Sequence, residues 1–201
     1  MSQQSSTVQL AQQLINIESL TPDDNGCQPL IQQRLERLGF NTKSIISSDV
    51  TNLWAQHGNS GPLLVFSGHT DVVPPGPDSD WTTPPFFASI RNGNLYGRGA
   101  ADMKSALAAM VVATEQFIKE NPHYPGSIGF MITSDEEGDA INGTCKIVDY
   151  LMQQKIKIDY CLIGEASSQT QLGDTIKVGR RGSLHGILKV IGKQGHIAYP
   201  Q

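Results

Sequence analysis

The sequence is short of the features that mark several broad classes of protein. It holds three cysteines in 201 residues, Cys27, Cys145 and Cys161. An odd number without C-x-x-C spacing makes neither a disulfide framework nor a thiolate metal site, and fits free thiols in a reducing compartment. Lysine and arginine number 15 against 19 acidic residues, for a net charge of -4. That balance, with no run of like charge, argues against the basic face that nucleic acid requires and against a polybasic membrane patch. Long apolar runs are missing as well. The longest, from Ala106 to Ala113, is far below the roughly 18 residues of a membrane helix. The first residues, Met1-Ser2-Gln3-Gln4-Ser5-Ser6, have neither a basic flank nor an apolar stretch and do not read as a signal peptide. The expectation is a cytoplasmic protein without nucleic-acid or membrane partners, with one domain, or one domain and part of another.

What is present is an alternation of helical and extended patterns. Val8, Ala11, Leu14 and Ile15 fall at helical spacing behind Ser5 or Ser6 as a cap, and Leu30, Ile31, Leu35 and Leu38 repeat that spacing up to Gly39. Ser44–Ile46 and Asn52–Gln56 read as short strands. Pro62–Phe66, Ser127–Thr133 and Asp159–Ile163 are continuous apolar runs, as in strands buried on both faces. Pro74–Pro85 is too rich in proline for a central strand. Met103–Glu120 reads as a long helix opened by Asp102 and ended at Asn121-Pro122, and Gly143–Gln154 as another. Such alternation predicts an α/β sheet with helices on its faces. After about Gly173 the character changes. Thr175–Val178 and Ser183–Ile191 read as antiparallel strands around Gly179-Arg180-Arg181-Gly182 and as the start of a second unit.

Ligands of open α/β sheets bind at the carboxyl ends of the strands. The three apolar runs are followed by Ser67-Gly68-His69-Thr70-Asp71, by Ser134-Asp135-Glu136-Glu137-Gly138 and by Gly164-Glu165. A lone carboxylate at a strand end is commonly a cap or a solvated loop residue. Here four acid-bearing regions, Asp102 among them, converge on one edge with His69. Imidazole with carboxylates suits zinc, with manganese or cobalt as alternatives. Asp71 is close enough in sequence to orient the His69 ring. Adjacent carboxylates such as Glu136 and Glu137 repel and diverge, so one can bind metal while the other serves as a base for an attacking water. Two other patterns are rejected. Gly97-Arg98-Gly99-Ala100-Ala101-Asp102 lacks the third glycine of a dinucleotide fingerprint, and Gly138–Gly143 has Thr144 where a P-loop needs lysine.

At Ser67-Gly68-His69-Thr70-Asp71-Val72-Val73-Pro74, Gly97–Lys104, Ser134–Gly138 and Gly164-Glu165 the sequence resembles the zinc aminoacylase and carboxypeptidase family. The resemblance implies a zinc aminopeptidase-like catalytic domain over residues 1–179, a mixed sheet with helices on both faces. It implies the start of an α+β lid and dimerisation domain over 180–201. It further implies a metal-dependent amide hydrolase with two Zn2+ per subunit, Co2+ as a substitute, a small N-acyl amino acid as substrate, and a homodimer. Asp102 would bridge the metals, His69 and Glu165 complete one site and Glu137 belong to the other. Asp71 would orient His69, and Glu136 act as general base. Gly179–Leu184 and Gly195–Pro200 point to enzymes that remove succinate from N-succinyl-LL-2,6-diaminopimelate. The alternatives are a deacetylase-like or dipeptidase-like sister, or an inactive metal-binding fragment. Arg180, His196 and Tyr199 match positions that hold substrate, with His196 reaching into a partner subunit. In the family a histidine from late in a much longer chain completes the second metal site. No residue here matches it, so the expectation is a truncated, inactive form.

Overall fold

The computed structural model describes residues 4–179, 182 and 186–199. The chain divides into two compact units, Met1–Ala166 and Ser167–Gln201.

The first unit is built on a five-stranded sheet. Its strands are β1 (Asn41–Ser47), β2 (Val50–His57), β3 (Leu63–His69), β6 (Ser127–Thr133) and β7 (Tyr160–Ile163). Their order is β1-β2-β6-β3-β7. The pairs β1/β2 and β2/β6 are antiparallel, while β6/β3 and β3/β7 are parallel. The sheet is therefore mixed, and β6, β3 and β7 all point their carboxyl ends the same way. Every residue of β6 is buried, which explains its unbroken apolar run.

Helices cover both faces. α1 (Ser6–Ile15), α2 (Cys27–Arg37) and α3 (Ser105–Glu120) pack with Leu53, Ala55, Ile128, Phe130 and Ile132. α4 (Thr144–Gln153) contributes Ile147 and Leu151 to a second cluster with Trp54, Val65 and Met131. Leu53, Trp54 and Ala55 thus alternate between faces, as the period of two in a strand requires. Ser5 caps α1 by accepting the Val8 N–H at 3.3 Å. Asp24 caps α2, its carboxylate accepting the N–H groups of Gly26 and Gln28 at 3.1 and 2.9 Å. A short hairpin, β4 (Ser89–Arg91) and β5 (Asn94–Tyr96), lies outside the main sheet.

Three expectations change. The long helix starts at Ser105 rather than at Asp102. Asp102 is extended, with φ -128° and ψ 104°, inside the kinked turn Ala100–Lys104. This lets Asp102 face His69 while Met103 packs beneath β3, where its sulfur accepts the His69 N–H at 3.3 Å. The approach is close: a Cβ on Gly68 would stand 2.5 Å from Met103 Cε, so a side chain there would make Met103 shift. Second, β7 is apolar but exposed throughout, with neither face covered and with β3 as its partner among the described residues. Third, no strand forms among the described residues of the second unit. Ser183–His185 lie outside the described residues. That unit is ordered locally instead: the Asp174 carboxylate accepts the N–H groups of Gln169, Thr170 and Gln171, which hold it well below the usual carboxylate range.

Phe130 is the centre of the larger core, fully buried and with its ring centroid 5.2 Å from that of Phe66 and 5.8 Å from that of Phe40. Phe130→Ala removes that packing and leaves a cavity, so it should lower unfolding free energy by about 3–5 kcal/mol. Urea denaturation reads this directly, and an unchanged midpoint would mean that Phe130 does not centre the core.

Candidate metal centre

The parallel strands deliver their following residues to one edge. His69 is the last residue of β3, Glu136 and Glu137 follow β6 by way of Ser134-Asp135, and Glu165 follows β7 by way of Gly164. Asp102 comes from the kinked turn ahead of α3.

The orientation of His69 is set by an acceptor. Its Nδ1 lies 2.9 Å from the backbone oxygen of Asp71. A carbonyl cannot donate, so Nδ1 carries the hydrogen, and Nε2 faces outward. Nε2 stands 3.0 Å from Asp102 Oδ1, 3.6 Å from Glu165 Oε1 and 3.9 Å from Glu136 Oε2. Glu137 joins His69 and Asp102 in a second grouping, in which the ligand atoms all lie within 4.8 Å of one another. Two atoms that share a tetrahedral zinc at its ordinary bond lengths are about 3.3 Å apart. The Asp102 and Glu165 oxygens are close to that spacing from Nε2, and Glu136 is farther. Imidazole nitrogen with hard carboxylate oxygens is a donor set suited to a divalent cation such as zinc.

Asp71 is wholly buried and does more than orient the ring. Its carboxylate accepts the Thr21 hydroxyl at 2.7 Å and the backbone N–H groups of Glu136 and Glu137 at 3.2 and 3.1 Å. Burial alone would raise its pKa, but His69, Thr21 and the Glu137 N–H outweigh that and lower it. Behind the site lies a second buried polar group. Lys104 has no exposed surface, and its ammonium donates to the carbonyls of Leu14 and Ile17 at 2.9 and 2.8 Å. Burial depresses its pKa, with Cys27 and Asp24 opposing.

The outer carboxylates carry the opposite strain. Burial raises the pKa values of Glu137 and Glu165, and the charges of Asp102 and Glu136 raise them further. For His69, burial disfavours the cation, but Asp71 and Glu136 outweigh it and hold the imidazole up at about 9. Acids crowded so that their pKa values rise are relieved by a cation.

The structure brings together His69, Asp71, Asp102, Glu136, Glu137 and Glu165. It gives no such placement for the rest. Arg180 lies outside the described residues, and His196 and Tyr199 belong to the second unit, where their rings are 5.5 Å apart. Sequence reasoning missed Thr21, Asp24, Thr70 and Lys104. The one signal for Lys104 was a cation next to Met103 at the head of an apolar helix. Thr21 and Asp24 sat in a stretch that reads only as a polar turn.

Residues 65–195 match Peptidase family M20/M25/M40. Over 196 residues the chain is 59% identical to succinyl-diaminopimelate desuccinylase of Coxiella burnetii strain Dugway 5J108-111, covering 98% of this chain and 52% of that protein. The enzyme of the same name from Hydrogenovibrio crunogenus is 58% identical over 198 residues, with the same coverage of 98% and 52%. The chain thus spans about half the length of these curated relatives. Among solved structures, the M20 family metallo-carboxypeptidase Sso-CP2 from Sulfolobus solfataricus superimposes with a TM-score of 0.71 at 22% identity, over 82% of this chain and 38% of its own. Human carnosine dipeptidase 1 gives a TM-score of 0.68 at 24% identity, over 83% and 39%. Both share the fold.

Because a metal-ligating imidazole is neutral, loading the site must release the proton that His69 holds. At pH 7 zinc binding should release about one proton from His69, and affinity should rise with pH until near 9. Calorimetry in two buffers of different ionisation enthalpy counts the proton, and a count of zero would remove His69 from the ligand set. Without metal the sign for stability is opposite. A folded pKa of about 9 above an unfolded value near ~6.5 means His69 stabilises fully below ~6.5 and loses that contribution as pH rises through 9.

Proposed function

We propose, from the premise that this chain belongs to Peptidase family M20/M25/M40, that it carries the metal-binding and proton-transfer groups of a succinyl-diaminopimelate desuccinylase. The reaction is hydrolysis of N-succinyl-LL-2,6-diaminopimelate to succinate and LL-2,6-diaminopimelate, a step toward lysine. The observation that carries the reading is the His69 imidazole turned toward Asp102, Glu165 and Glu136, in a chain 59% identical to an enzyme of that name.

His69, Asp102, Glu137 and Glu165 would hold two zinc ions, for which cobalt could substitute, with Asp102 the carboxylate common to both. Bound there, the metals would supply a Lewis acid for the amide carbonyl and lower the pKa of a water. Asp71 keeps Nδ1 of His69 protonated and Nε2 free. Glu136 is the general base. Its carboxylate is about half exposed and stands farther from Nε2 than those of Asp102 and Glu165, although it falls in one grouping with His69 and Glu165. It takes a proton from the attacking water as the carbon–oxygen bond forms. It then returns that proton to the nitrogen as the carbon–nitrogen bond breaks. Arg180 and Tyr199 help hold the substrate's carboxylates, and His196 would donate to the oxyanion. His196 acts from the partner in a homodimer, with residues 180–201 beginning the lid and dimerisation domain. The cytoplasm is the compartment that three free cysteines favour. Among the described residues no helix is long and apolar enough to cross a membrane.

Two experiments test this in a protein of the relatives' full length that contains this sequence. Glu136→Gln should keep its metal and lose about 10²–10⁴ in turnover; wild-type turnover would overturn the base assignment. N-succinyl-LL-2,6-diaminopimelate should be cleaved in preference to N-acetylornithine and to dipeptides. Faster cleavage of either rival would move the protein to a sister activity.

A further inference from the structure

Three of the four segments that carry His69 and the acidic cluster, the turns after β3 and β6 and the kinked turn Ala100–Lys104, meet one another at Asp71 and His69. They also share a partner, the segment that leaves α1 and enters α2. Lys104, two residues after Asp102, reaches into it and donates to Leu14 and Ile17 at 2.9 and 2.8 Å. The turn after β3 is held on both sides. The Ser19 hydroxyl donates to the Thr70 carbonyl at 2.6 Å, the Val72 N–H to the Ser19 carbonyl at 2.9 Å, and the Thr70 hydroxyl to the Asp24 carboxylate at 2.7 Å. The turn after β6 is tied by Ser134, whose hydroxyl donates to the Pro22 carbonyl at 2.7 Å. Ser19, Asp24, Thr70, Lys104 and Ser134 are all buried, so these bonds do not compete with bulk water and each is costly to leave unmade.

We propose that Leu14–Asp24 is a positioning brace for the metal centre, and that Thr21 is the positioning residue through which it acts on Asp71. Thr21 is the one side chain of the segment that touches the Asp71 carboxylate, donating at 2.7 Å. The same oxygen, Oδ2, accepts the N–H groups of Glu136 and Glu137. The Thr21 hydroxyl therefore fixes the carboxylate rotation that aligns both acceptor bonds. Without it, the carboxylate keeps only the Glu136 and Glu137 N–H groups and His69 Nδ1 at 3.5 Å to fix its side-chain torsion, and the Glu136–Glu137 turn is held less firmly. Thr21 is a positioning residue because it acts only through Asp71. The metal side of this inference rests on the reading of the site as a metal centre; the geometric side does not.

The test separates the two. Thr21→Val keeps the branched shape and removes the donor. In the 201-residue chain, amide hydrogen exchange at Glu136 and Glu137 should accelerate at least about tenfold while Phe130 and Ile132 are unchanged, since only the local opening is made easier. Cobalt affinity should fall by about 10–100-fold, the size expected when a group orienting a ligand is lost. Thr21→Ser restores the hydroxyl and should restore both. Unchanged exchange at Glu136 and Glu137, or acceleration shared equally with Phe130 and Ile132, overturns the brace. Should Thr21→Val fail to fold, Thr21→Ala removes the same donor without the branched bulk and is read by the same amides. If the wild-type chain takes up no cobalt, the metal reading falls while the exchange arm still decides the brace.

Discussion

Asp71 is where the separate parts of this molecule are made to agree. Its carboxylate, shielded from water, receives a hydroxyl from the loop before α2 and two backbone N–H groups from the turn after β6. Its own backbone oxygen fixes the ring of His69. A sheet can bring strand ends to one edge, but it sets only where each strand stops. The side chains beyond the last ladder bond are free unless something polar holds them, and one anion with several donors does so at short range.

The same centre sets the electrostatic problem. Glu137 and Glu165 are pushed toward protonation by burial and by their acidic neighbours, while His69 is drawn toward the cation. The nearby buried cation, Lys104, is placed against the carbonyls at the end of α1, where the helix presents partial negative charge. It thereby meets much of its own desolvation cost through hydrogen bonds. The acids on the open side share one cation, His69, at 3.0, 3.6 and 3.9 Å from Asp102, Glu165 and Glu136, which leaves excess negative charge for a ligand from solution to meet.

Much of this was legible in the sequence because it follows from local pattern. Ser127–Thr133 reads as a strand buried on both faces and is one, and the helix that Ser5 caps begins where the spacing of Val8, Ala11, Leu14 and Ile15 puts it. His69, Asp71, Glu136, Glu137 and Glu165 could be named since each follows an apolar run. What local pattern could not carry was tertiary. Asp102 reads as the start of a helix, because nothing in its neighbours reveals that Met103 must slide beneath Gly68. Tyr160–Ile163 reads as interior, because apolar residues look alike on a central strand and on an edge. Thr21 and Asp24 look like turn residues, and their partners lie on the far side of the sequence at Asp71 and Thr70. One local signal was overlooked. Asn92-Gly93, both with positive φ, is the pair that a tight hairpin favours, and it joins β4 to β5.

The edge position of β7 also ranks the candidate ligands by how firmly they are seated. His69 ends a strand paired on both sides, and Glu136 and Glu137 follow another. Glu165 follows a four-residue strand with a neighbour on one side only among the described residues. Fraying begins where ladder bonds are fewest. Glu165 therefore follows the least supported of these strands, the one where local opening costs least. Whatever pairs with the open side of β7 would govern the tenure of that carboxylate without touching the site.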